Sequence, residues 1–175
     1  VGFVAEYLRA NPQMRIELIP SEFGANVDYD FTIQSLASSD KNKVSIKLAA
    51  NPWTICASPE YLEKHGAPEH PRDLEFHNCL VIGTHPHWQF IVDDRELNLV
   101  PPARFISFGS AVYQAAVSGF GVARLAAFLV SDDLKGRRLV KLLAPYADTR
   151  ERNLYLIANA NKISLAKYAG FAEFI

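Results

Sequence analysis

Ser107, His85 or His87, and Asp93 or Asp94 supply the residue types of a hydrolase triad. That chemistry needs a serine oxygen activated by an imidazole, which a carboxylate in turn orients. The serine lacks its usual setting, because no Gly-x-Ser-x-Gly elbow occurs in the chain. Ser58 stands between Ala57 and Pro59, a helix-capping context and not a nucleophile's. Asp93-Asp94 followed by Arg95 reads as a hairpin turn rather than an acid/base pair. Metal chemistry fares no better. His65, His70, His77, His85 and His87 have no cysteine or carboxylate at ligand spacing, and His85-Pro86-His87 reads as loop, so neither metal nor cofactor is expected. Cys56 and Cys79 fall in apolar, strand-like runs without a local Lys or Arg to depress a thiol pKa. They are expected to be reduced and inert, although a two-cysteine redox switch is the alternative reading.

Binding without chemistry is better supported, by residues 107–125. They read as cap, helix, glycine stop and buried strand in immediate succession. Ser107 or Ser110 can accept a hydrogen bond from the first free backbone amides, and Val112, Ala115 and Ala116 mark one apolar helix face. Gly119 is suited to the left-handed residue that ends a helix, and Gly121 permits a close backbone approach. Free amides at such a helix start attract a carboxylate or a phosphate, since they have no intrahelical partner.

The elements around this run alternate helix and strand, which argues an α/β fold with mainly parallel sheets. Helices are predicted over 4–9, from Ser58 to Gly66, from Ser131 to Gly136, and over 164–174, the last amphipathic. Strands are predicted over 15–19, 30–33, 44–48, 53–57, 80–82, 88–92, 96–100, 104–107, 139–143 and 154–158. With 175 residues, 49% of them hydrophobic and 21% charged, the chain can bury a core without disulfides or metal. Its net charge of −1 argues against holding DNA by itself, which calls for a basic excess. No run approaches a membrane span and Val1 opens no signal peptide, so no membrane partner and a cytoplasmic location are expected.

Five segments in register resemble the effector-binding (substrate-binding) domain of LysR-type transcriptional regulators. They are Phe3-Val4-Ala5-Glu6-Tyr7-Leu8-Arg9-Ala10-Asn11-Pro12, Asp30-Phe31-Thr32-Ile33-Gln34, Ile55-Cys56-Ala57-Ser58-Pro59-Glu60-Tyr61-Leu62, the 107–125 run, and Asp133-Leu134-Lys135-Gly136-Arg137-Arg138-Leu139-Val140. The resemblance implies a periplasmic-binding-protein-like (type 2) fold of two subdomains with a cleft between them. Residues 1–54 plus 151–175 would form the first and 55–150 the second. It also implies a winged helix-turn-helix, a linker helix and a first strand ahead of Val1, so that DNA contact would run through those missing parts. A transport-system solute-binding protein of the same fold is the alternative, and a hydrolase the remote one.

Under this resemblance a small effector would be held by Ser21, Glu22, Thr32, Gln34, Gly83, Thr84, Ser107, Phe108 and Ser110. Departures are expected to shape its chemistry. The family often carries Arg at Gln34, Asn at Phe108 and Pro at Ala126, and the segment between Ser21 and Asp30 is shorter than usual. Losing an Arg removes a bidentate carboxylate partner, and Phe108 adds apolar surface, which points to a less anionic or partly aromatic effector. The resemblance further implies a homodimer or homotetramer, with RNA polymerase as a possible partner. Phe3, Val4, Tyr7 and Leu8 of one chain would face Val112, Tyr113 and Ala116 of another.

Overall fold

The computed structural model describes residues 2–19, 29–150, 152–163 and 165–174. It divides into two compact units, Val1–Ala50 with Arg152–Ile175, and Asn51–Glu151.

The first unit opens with α1 (Gly2–Ala10), followed by β1 (Phe31–Gln34) and β2 (Lys43–Ala50). Its last elements are β10 (Asn153–Asn159), α5 (Ala160–Ile163) and α6 (Ala166–Phe174). β10 lies between β1 and β2 and runs antiparallel to both. Against this sheet Tyr7 meets Phe171 and Phe174, each at 5.1 Å between ring centroids, and Phe31 meets Phe171 at 5.2 Å. Such pairs add to burial through their edge-to-face electrostatics. The predicted strand over 15–19 does not form. No described strand pairs with it, and a lone strand leaves its backbone groups unbonded.

The second unit is built on a five-stranded sheet ordered β7-β4-β8-β3-β9. Its strands are β3 (Trp53–Ala57), β4 (Cys79–Ile82), β7 (Ala103–Ser107), β8 (Val122–Ala126) and β9 (Val140–Leu142). Only β4–β7 and β4–β8 are parallel, so the expectation of mainly parallel sheets is corrected. The reason is topological. The chain enters the unit at the sheet end where β8 finishes, with Trp53 opposite Ala126, so β3 must run back along β8.

One face of this sheet is covered by α2 (Pro59–His65), by the 3₁₀ turn Pro71–Phe76 and by the hairpin of β5 (Trp88–Val92) and β6 (Arg95–Leu99). There Tyr61, Leu74, Trp88 and Phe90 are buried with Ile55, Cys79 and Val122. The other face carries α3 (Gly109–Val117) and α4 (Ala127–Lys135), whose Val112, Ala116 and Val130 pack on Cys56, Leu80 and Leu125. α2 follows its sequence signals closely. Ser58 Oγ accepts from the Tyr61 amide at 3.1 Å, Pro59 takes the first helical position, and Gly66 ends the helix at φ 75°.

α4 departs from expectation. It begins at Ala127, four residues before the predicted start at Ser131; it stops at Gly136 as expected, and the left-handed residue that follows is Arg137 at φ 58°. The Arg138 amide donates back to the Asp133 carbonyl, a helix stop that a non-glycine residue fills at a cost in strain.

Candidate functional site

The end of the second unit's sheet where β4, β7 and β8 finish gathers five of the predicted binding residues. β4 leads into Gly83 and Thr84, and β7 ends at Ser107 beside Ile82. The Gly83 amide donates to the Ser107 carbonyl at 3.0 Å, which ties the two loops together. Phe108, Gly109 and Ser110 follow at once.

Neither serine caps α3, contrary to the sequence expectation. Phe108 occupies the N-cap in an extended conformation and makes no side-chain cap bond. Ser107 is the last strand residue, one position too early, and Ser110 is already inside the helix. The helix start therefore keeps its first amide donors without a protein cap, and the exposed Phe108 ring stands beside them. A β-carbon on Gly109 would lie 3.7 Å from Ile82 Cδ1, an ordinary contact that places this end of the helix over β4. At the other end Gly119 takes φ 76°, and the Phe120 amide donates to the Ala115 carbonyl. A β-carbon on Gly121 would sit 2.1 Å from the Asn78 carbonyl oxygen, so the close approach is real.

The loop 83–87 is fixed from beneath. Thr84 Oγ1 and His85 Nδ1 are 2.8 Å apart, and the His85 ring packs on Trp53 at 5.4 Å. The Arg124 guanidinium, on a residue only 8% exposed, lies 4.7 Å over the Trp53 ring and donates to the His87 carbonyl. Trp53 and Arg124 were missed by sequence reasoning. An arginine inside an apolar strand, Val122-Ala123-Arg124-Leu125, was the available signal.

Thr32 and Gln34 lie on β1 of the first unit, where Gln34 Nε2 donates to Thr32 Oγ1 at 3.3 Å. Ser21 and Glu22 lie outside the described residues. A hydrolase triad is not assembled. Asp93 and Asp94 form the β5–β6 turn, both at positive φ, and the whole of β5 separates them from His87, about 15 Å of strand. No group of acids, histidines and cysteines that could hold a metal occurs among the described residues.

The cysteines are both free and buried. Desolvation pushes each thiol up to about 12, which suppresses the thiolate. β8 separates them, with Cys79 opposite Val122 and Cys56 opposite Ala123, and they belong to cores on opposite faces of the sheet. Two strand spacings are about 9–10 Å, beyond the reach of a disulfide.

Most of the predicted dimer-contact residues are consumed inside their own unit. Val112 and Ala116 are 0% exposed, and Val4 and Tyr7 only 6% and 5%, so none has surface left for a partner. Tyr113 is half-buried, with its hydroxyl donating to Asp133 Oδ2 at 2.9 Å. Leu8 is half-buried, and the side chain of Phe3 is outside what the structure describes. The reason is helix geometry: an apolar stripe read from sequence is first the face a helix turns to its own sheet.

Against known proteins, the family model for the LysR substrate binding domain matches residues 1–175. The transcriptional regulator CrgA of Neisseria meningitidis serogroup C is 26% identical over 170 residues, covering 94% of this chain and 57% of its own length. The regulator DmlR of Escherichia coli K12 is 30% identical over 140 residues, 77% of this chain and 45% of its own. The chain thus spans about half the length of the curated relatives it matches. The solved CrgA regulatory domain of N. meningitidis superimposes with a TM-score of 0.89 at 24% identity, covering 99% of this chain and 88% of that one. Full-length AphB of Vibrio cholerae gives 0.84 at 21%, covering 99% and 61%. The fold is that of LysR regulatory domains, the type 2 periplasmic-binding-like fold, and the relatives are transcriptional regulators rather than transport proteins. With a family model spanning every residue, the chain belongs to the LysR substrate-binding-domain family.

Proposed function

We propose that this domain senses a small effector, without transforming it, for a LysR-type transcription factor that works in the cytoplasm. DNA contact would belong to a separate helix-turn-helix part of the regulator, consistent with the domain's net charge of −1. The observation that carries the reading is the uncapped start of α3 beside Ser107, Phe108 and Ser110, joined to the Thr84 loop by the Gly83–Ser107 hydrogen bond. Uncapped amides and hydroxyls hold a polar group, the exposed Phe108 ring offers apolar contact, and nothing there is arranged to break a bond. Thr32, Gln34, Ser21 and Glu22 stay effector-binding residues on the family resemblance alone.

The regulator would act as a homodimer or tetramer, with α1 of one chain meeting α3 of another through surface that remains outside the cores. Effector binding would change the geometry of that oligomer on DNA, and with it the encounter with RNA polymerase.

A thermal-shift screen of small metabolites, followed by calorimetry of the hits, tests the reading, because a ligand stabilises the state it binds. Replacing Ser107 and Ser110 together by Ala is expected to weaken the hit by about 1–3 kcal/mol. Unchanged affinity in that variant, or turnover of the bound compound, would overturn the assignment.

A further inference from the structure

Arg124 stands in β8 beside Val122, Ala123 and Leu125, all fully buried, and is itself only 8% exposed. A charge taken out of water costs stability, and a methionine of similar length would fill the position without that cost. What the guanidinium does there concerns one loop. It donates to the His87 carbonyl and lies 4.7 Å over the Trp53 ring. Trp53 in turn packs against the His85 ring at 5.4 Å, and His85 Nδ1 is 2.8 Å from Thr84 Oγ1. The contacts run from the sheet interior to a surface hydroxyl, Arg124 to Trp53 to His85 to Thr84. The His87 carbonyl fastens the far end of the same loop.

Thr84, His85 and His87 are exposed, so packing in the core does not order their side chains. A side chain that a ligand must order gives up rotamer freedom on binding, and the affinity falls accordingly. A hydroxyl already bonded to a ring, and a ring already packed on a held indole, have given it up beforehand.

Resting on the effector-binding reading above, we propose that Arg124 and Trp53 are positioning residues of the effector site. They touch no effector, and they hold loop 83–87 with the Thr84 hydroxyl set to receive one. The buried charge is thus kept for preorganisation and not for stability. The two roles predict opposite outcomes when the charge is removed.

The test compares Arg124→Met, Arg124→Lys and the parent in ¹⁵N relaxation, in thermal unfolding, and in titrations with sodium benzoate and sodium malonate at matched ionic strength. In Arg124→Met the heteronuclear NOE of the Thr84, His85 and His87 amides should fall while those of β8 hold, and Tm should stay level or rise. A purely structural arginine would lower Tm and leave the loop ordered. Arg124→Lys keeps a cation over the indole and a donor for the carbonyl, and should restore loop order in part. Trp53→Leu, at a half-buried residue, should loosen the same three amides and gives a second reading of the loop. A probe that shifts the Thr84 amide saturably in the parent should bind Arg124→Met about tenfold more weakly, as ordering one or two further side chains does. Parental affinity in Arg124→Met, failure of Arg124→Lys to rescue, or an equally ordered loop in Arg124→Met and Trp53→Leu overturns the positioning role and leaves the effector reading intact. If neither probe binds, loop order alone decides the positioning role, and the effector reading is judged separately by the metabolite screen.

Discussion

Tyr61 and His77 form a buried pair held by a third group. The Asn78 amide donates to the Tyr61 hydroxyl at 2.9 Å, and that hydroxyl shares a hydrogen bond with His77 Nδ1, 3.2 Å away. Burial, and secondarily the His65 charge, lower the His77 pKa below the ordinary 6.5. The unfolded chain therefore binds the extra proton more readily, and stability is fully present above the unfolded value. It falls as pH drops through 6.5 toward the lower folded pKa. Urea midpoints should accordingly decline over this window in the parent and decline less in His77→Gln. An equal slope in both proteins would show that other groups govern the acid limb.

At the scale of elements, the β4–β8 junction depends on a glycine for contact and not for conformation. Gly121 brings the chain against Asn78, and the Val122 amide then donates to the Asn78 carbonyl at 2.8 Å, starting the parallel pairing of β8 with β4. A single methyl at residue 121 must displace one strand, because the atom it meets is backbone. Gly121→Ala is therefore expected to destabilise by about 2–3 kcal/mol, an overpacking cost, measured as a shift in urea midpoint without a change in slope. Loss of less than half that amount would mean that the strands separate easily. The α3 start makes the opposite point. Its missing side-chain cap leaves helix stability short of what a Ser or Asp at residue 108 would add.

For the whole molecule, the proposed self-association would have to use what the two cores leave outside. On α1 that includes Ala5, Glu6 and Arg9 beside the half-buried Leu8, and on α3 it includes Gln114 beside Tyr113. Tyr113 carries a second duty, because Asp133 is 2% exposed and accepts a hydrogen bond from its hydroxyl while Arg138 supplies the opposing charge. Substituting Tyr7 or Tyr113 would consequently confuse unfolding with dissociation. Ala5→Arg combined with Gln114→Arg avoids this, and should convert a dimer to a folded monomer in sedimentation velocity with Tm unchanged. A double variant that remains dimeric places the interface elsewhere.

The sequence by itself determined the family, the α/β alternation, the Ser58–Pro59 helix start, the Gly119 stop and the Gly121 contact. Each of these rests on local backbone chemistry or on motifs carried in order along the chain, and neither requires knowing what lies across the fold. It also drew together Thr84 and Ser107, because loops that follow neighbouring strands end up side by side. Only the tertiary structure decided which way β3 and β10 run, where α4 begins and which apolar stripes are core. It alone gave Arg124 its place over the Trp53 ring. Those facts depend on register between strands far apart in sequence. A guanidinium in an apolar strand looks the same in the sequence whatever stands opposite it.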